Sequence, residues 1–85
     1  MKVQNFDGRN GKVKNQFIIT DGNKTIFQSY DSVIAIKENG KITLDEKFWD
    51  YSTTTGKYRN QFLNEEKKDT EKKIASGEYI LANLN

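Results

Sequence analysis

Histidine and cysteine are both absent from the 85 residues. Without them the chain has no imidazole base, no thiolate nucleophile, no soft metal ligand and no disulfide. Acid–base chemistry near neutral pH would fall to carboxylates or lysines, whose pKa values shift usefully only on deep burial. A chain of this length buries only about 60–65% of its unfolded surface, which leaves little room for such a site. The densest acidic group is Asp45, Glu46 and Asp50. Its spacing does not match a calcium loop, and acids at the end of a strand are expected to be solvated. The run Thr53-Thr54-Thr55-Gly56-Lys57 looks like the tail of a phosphate loop but lacks the preceding glycine frame. Helix capping accounts for it better. The inventory therefore predicts no catalytic residue, no enzyme, no metal site and no cofactor.

Recognition chemistry is better represented. Phe48-Trp49-Asp50-Tyr51 holds the only tryptophan, and an aromatic cluster of this kind serves either a core or a contact anchor. Lys57, Arg59 and Asn60 follow on what should be the exposed face of a helix, near a hydroxyl-rich start that suits a phosphate or carboxylate. Arg9, Lys12 and Lys14 lie on or beside a glycine-rich tip that could rest on a phosphate backbone. The acids Asp45, Glu46 and Asp50 are the alternative source of charge complementarity. With 14 basic against 12 acidic residues, the net charge of +2 is too small to announce a nucleic-acid-binding domain by itself.

These residues need elements to hold them. The composition predicts one domain over residues 1–85, of α+β class. Its antiparallel sheet of about four to five strands comes from two hairpins over residues 2–45. Two helices over residues 52–76 pack on one face, and an extended segment spans 78–84. Asp21-Gly22-Asn23 supplies the turn of the first hairpin, and Glu38-Asn39-Gly40 the turn of the second. A two-residue loop at Asn39-Gly40 opposes Ala35 to Leu44 and Lys37 to Ile42. A three-residue loop with a bulge at Gly40 opposes Ile36 to Ile42 and Ile34 to Leu44. The second choice gathers four aliphatic side chains on one face, and a single buried face is what sets register. The bulged turn is therefore expected.

A hydroxyl among Ser52–Thr55 should cap the first helix, with Thr55, Tyr58, Phe62 and Leu63 facing inward. Asn64 either ends that helix or caps the next. The second helix should stop at Ser76-Gly77 and carry an Asp69–Lys73 pair.

The stretch from Leu44 to Leu63, followed by Ser76-Gly77-Glu78-Tyr79, resembles small uncharacterised proteins of bacteriophages and other mobile elements of low-GC bacteria. Its most specific part is Tyr51-Ser52 with Thr54-Thr55, Lys57-Tyr58 and Phe62-Leu63. The strands Asn15–Ile19 and Phe27–Tyr30 fit the same pattern. The resemblance implies an accessory protein, and proteins of that kind include inhibitors of host defence such as anti-CRISPR proteins. The function expected is a non-enzymatic binding protein that occludes a host protein or ribonucleoprotein. A nucleic-acid-handling defence complex such as a CRISPR effector is its most concrete target. Two alternatives stand beside it: a nucleic-acid-binding accessory protein that stacks bases on Phe17, Phe27 or Tyr30, and a structural or assembly component. No apolar run is long enough for a bilayer, and the amino terminus does not read as a signal peptide. A bacterial cytoplasm is expected, with no membrane partner.

Overall fold

Val3, Phe17-Ile18-Ile19, Ile26-Phe27 and Val33–Ile36 are β-branched, aromatic or small residues, most of which suit a pleated surface, and they build a sheet. The structure, a computed structural model, describes residues 1–8 and 11–85. Its elements in chain order are β1 (Lys2–Gly8), β2 (Gly11–Asp21), β3 (Lys24–Ser29), β4 (Ser32–Glu38), β5 (Lys41–Asp45), α1 (Thr53–Leu63), α2 (Lys67–Ser76) and β6 (Tyr79–Ala82).

The class is α+β, and the described residues form one six-stranded sheet in the order β1-β2-β3-β4-β5-β6. The expectation of four to five strands therefore falls short. The first five strands are antiparallel neighbours, and β6 adds to the edge parallel to β5, pairing Ile42 with Tyr79 and Leu44 with Leu81. Parallel neighbours need a crossover connection, and α1 and α2 provide it. The extended segment expected over 78–84 thus joins the sheet as its sixth strand.

The second turn overturns the expected register. Ala35 opposes Leu44 and Lys37 opposes Ile42 across a two-residue loop. Asn39 at φ 53° and Gly40 at φ 77° both take the left-handed conformation that such a loop requires. The physical reason is that β4 has apolar residues on both faces. A bulge between β3 and β4, after Phe27 pairs with Ala35, places both Ile34 and Ala35 in the core and turns Ile36 to the opposite face.

The helices cover one face of the sheet. Phe27, Ile34, Ala35 and Leu44 meet Tyr58, Phe62 and Leu63 from α1, with Phe6 and Tyr79 at the sides. Phe6 packs edge-on to Phe27 at 5.2 Å and lies 5.3 Å from Tyr58, and Phe27 reaches Phe62 at 5.8 Å. Burying each such ring contributes about 2–3 kcal/mol. Ser52 caps α1 by accepting the Thr55 N–H at 3.1 Å. Asn64 ends it at φ 56°, and Gly77 ends α2 at φ 85°.

The expected Asp69–Lys73 pair does not form. Lys73 instead binds Glu65 at 2.7 Å, and Glu65 also accepts from the Tyr79 hydroxyl at 2.7 Å and from Thr70 at 2.6 Å. This network ties α2 to β6. Burial pushes Glu65 up, but hydrogen bonds from Lys73, Thr70 and Tyr79 leave it below the usual carboxylate range. Tyr79 is pushed up to about 12, first by burial and then by its bond to Glu65.

Candidate functional site

The segment between β5 and α1 brings together most of the residues singled out for recognition. Asp45 begins it as an anchor. Its carboxylate accepts the N–H groups of Lys47 at 3.0 Å, Phe48 at 2.9 Å and Leu84 at 2.8 Å. It is 1% exposed, so the expectation that it is solvated is overturned. Burial raises its pKa, but hydrogen bonds from the Leu84 and Phe48 N–H groups, the Asn85 side chain and the Lys47 N–H together outweigh it and leave it below the ordinary value. A carboxylate that accepts several backbone N–H groups favours its charged form. Asp45 thus folds the loop and fastens the carboxyl-terminal segment to it.

Arg59 holds the loop from the helix side. Expected on the exposed face of α1, it is 1% exposed. Its Nη1 donates to the Trp49 carbonyl at 2.9 Å and to Asp50 Oδ1 at 3.0 Å, and its Nη2 donates to Asn60 Oδ1 at 2.9 Å. The guanidinium also lies over the Trp49 ring, 5.2 Å from its centroid, a cation–π arrangement. Burial of this kind is possible for arginine because its planar fork satisfies several acceptors at once. Asp50 carries a second cation, Lys67 Nζ at 2.7 Å. Burial pushes Asp50 up, but the hydrogen bonds and charges of Lys67 and Arg59 bring it below the usual range.

The aromatic cluster divides. Phe48 and Trp49 are half-buried against the core, whereas Tyr51 is 69% exposed. Its ring meets Phe48 edge-on at 5.5 Å. Two depressions flank it. One, of about 490 Å³, lies between the β3–β4 turn and the start of α1, lined by Tyr30, Asp31, Phe48, Tyr51 and the hydroxyls of Ser29, Ser32, Ser52, Thr54 and Thr55. The other is a shallower cleft of about 750 Å³ along α1, lined by Lys57, Asn60, Gln61 and Lys67 beside Asp50 and Arg59.

Of the remaining candidates, Lys57 is exposed and Asn60 half-buried at this site, and Glu46 is exposed at its start. Lys12 and Lys14 are exposed on β2, with Lys12 bound to Asp7 at 2.6 Å. Arg9 lies outside the described residues. Phe27 cannot stack a base, because it is fully buried. Phe17 is half-buried on the opposite face of the sheet, and Tyr30 is exposed. Lys67 was not foreseen. A cation in the first turn of a helix opposes the dipole, which is the one local sign that a carboxylate holds it. Among the described residues no group of three or more acids is placed to hold a metal ion, and no helix is long and apolar enough to cross a membrane.

An exposed aromatic ring stands between a hydroxyl-lined hollow and a cationic cleft, whose one carboxylate is paired with two bases. No curated protein and no solved structure matches the chain. Residues 1–78 match the model described as a family of unknown function (DUF8033), and the chain belongs to that family.

Proposed function

We propose that this protein is a non-enzymatic binding protein that inhibits a host macromolecule by occluding it, with Tyr51 as the anchor. The observation that carries this reading is the exposure of Tyr51 on a loop clamped at both ends by buried charges. Anchors of high energy at protein interfaces are enriched in tyrosine, tryptophan and arginine. A tyrosine has only two side-chain torsions to lose, and a loop ordered before binding loses little more.

Lys57 and Lys67 set the sign of the partner. Asp50 is spoken for by Arg59 and Lys67, so the cleft is cationic on balance and fits an acidic protein surface. The resemblance to phage and mobile-element proteins narrows the partner to a host defence complex that handles nucleic acid, such as a CRISPR effector. Such a complex is inhibited when an acidic surface on its moving parts is covered.

The test uses wild-type and Tyr51→Ala proteins as baits in a bacterial lysate, read by mass spectrometry, beside salt-titrated binding to labelled DNA and RNA. The reading expects a protein partner retained by the wild type and lost, by roughly 30-fold or more in affinity, with Tyr51→Ala. Tight binding to bare nucleic acid that weakens steeply with salt and ignores Tyr51→Ala would overturn it.

A further inference from the structure

The face of the sheet away from the helices is apolar where an ordinary solvated face alternates to polar residues. Register places Val3, Ile19, Ile26, Ile36, Thr43 and Ile80 in one continuous row across all six strands. None of the five aliphatic members belongs to the helix-side core, and Val3 and Ile80 at the two ends are 55% and 51% exposed. The one hydroxyl, Thr43, shares a surface hollow of about 480 Å³ with Ile36 and Leu84. In the middle of β2 to β4 the consecutive apolar residues Phe17-Ile18-Ile19, Ile26-Phe27 and Val33–Ile36 put apolar side chains on both faces, as in a sheet covered on both sides. This chain supplies a helical cover for one side only.

A second row lies two residues further along the strands. Asp21 pairs with Lys24, Lys24 with Glu38, and Glu38 with Lys41, so the charges alternate in sign from β2 to β5. Among the described residues none of the four is in an ion pair within the chain.

We propose that this face binds a second copy of the same chain, sheet on sheet, about a twofold axis that runs along the strands between β3 and β4. That axis exchanges β1 with β6, β2 with β5 and β3 with β4, and keeps each row at its own level. Every apolar position then meets an apolar row: Ile26 falls on Ile36, Ile19 on Thr43 and Val3 on Ile80. A row of four alternating charges read backwards is its own complement, so Lys24 meets Glu38 and Asp21 meets Lys41. The axis passes through the middle of the six strands, and the central pairs are the ones least displaced by the crossing angle of about 30° between aligned sheets. An isologous surface must complement itself, and this one does so in both hydrophobicity and charge.

The area sets the strength. Six strands about 4.8 Å apart, giving four residues in β6 and five or six in each of the others, make roughly 500–600 Å² per copy. Two copies bury on the order of 1,000–1,200 Å², the low end for specific association. An interface at this end of the size range belongs to reversible association, with its affinity decided by complementarity rather than by area. The dimer leaves both helix layers and both Tyr51 loops facing outward, so it also makes the protein bivalent toward an extended or repeated target.

Sedimentation equilibrium of the full chain from about 1 µM to about 1 mM spans the expected range. Lys24→Glu and Glu38→Lys each bring like charges together in their own homodimers, and each should weaken self-association at least about tenfold. Mixed one to one, the two variants again oppose Glu to Lys at both pairs, and the dimer should return. Ile36→Thr keeps a β-branched strand residue and should likewise give a folded monomer by circular dichroism; it serves if a charge variant fails to fold. A wild type that stays monomeric at about 1 mM would overturn the proposal, because interfaces of this size associate well below that concentration. So would a dimer that survives these variants, or folded charge variants that do not re-associate when mixed.

Discussion

Ile26 and Phe27 are neighbours in β3 and point to opposite sides of the same sheet. Phe27 is fully enclosed by Phe6, Phe62 and the rest of the helix-side core. Ile26 lies half-buried in a row of aliphatic chains that no helix covers. The two are similarly hydrophobic, but Phe27 is enclosed on every side, whereas Ile26 has only its cross-strand neighbours Ile19 and Ile36 and no layer above it. Folding is the work of the covered face. The open face holds apolar surface beyond what the fold uses, and apolar surface gathered in one continuous patch marks an interaction site.

The largest effect should separate these two residues. Phe27→Ala leaves a cavity under α1 and should cost about 3–5 kcal/mol, comparable to the whole stability of a domain this small. Ile26→Thr should cost the isolated chain less than about 1 kcal/mol, because it removes little surface from the core. Urea unfolding at low protein concentration measures both. Equal losses would show that the two faces are equally part of the fold.

Arg59 tests the same contrast at the loop. Arg59→Met keeps much of the side-chain volume and removes the bonds to Trp49 and Asp50, at a cost of about 2 kcal/mol. The cost stays below that of a broken buried pair because Asp50 retains Lys67 and is one-third exposed. Trp49 fluorescence should change with it, since the indole loses the guanidinium above its ring. An unchanged emission spectrum would mean that the loop is held by other contacts.

Acid should act on the loop and on α2 together. Asp45, Asp50 and Glu65 all titrate below their ordinary values in the folded chain. Their contribution is therefore fully present above the unfolded carboxylate range near pH 4, and it is lost as pH falls through the lower folded values. Melting temperature should be flat from about pH 7 to about pH 5 and then fall. Asp45→Asn should lower the plateau and make the acid limb shallower.

The smallest effect belongs to Tyr51. Tyr51→Ala should change stability by less than about 0.5 kcal/mol while abolishing partner binding. A large loss of stability would place the ring among the groups that fold the loop and remove the basis for calling it an anchor.

Local features were legible before the structure. Thr55, Tyr58, Phe62 and Leu63 recur at helical spacing and are buried, and Gly77 ends α2 where a stop was expected. Ser52 lies in the hydroxyl run that was expected to cap α1. The misses share a cause: each depends on a partner distant in the chain. The β6 strand pairs with β5 across two helices, and no local pattern announces that. The register at Asn39-Gly40 follows from sequence only if the sheet has one apolar face, and Ile36 belongs to a second.

Sequence alone assigns Arg59 and Asp45 to the solvent, because isolated charges belong there. Each is instead buried with several hydrogen-bonding partners from the loop, and Asp45 is also bound to the carboxyl-terminal segment. The split between Trp49 and Tyr51 was half legible. Adjacent aromatic residues in a short loop cannot all face the core, but which one faces out is decided by the Arg59 clamp.

The most direct test of the two-faced sheet is an isotope-filtered nuclear Overhauser experiment on an equal mixture of labelled and unlabelled chains. Ile19 and Thr43 lie three strands apart, about 14 Å within one chain, too far for a contact. The twofold dimer predicts methyl contacts between Ile19 of one copy and Thr43 of the other, together with contacts from Ile26 to Ile36. Filtered contacts that arise only from the helices or the sheet edges, or none at all at millimolar concentration, would contradict it.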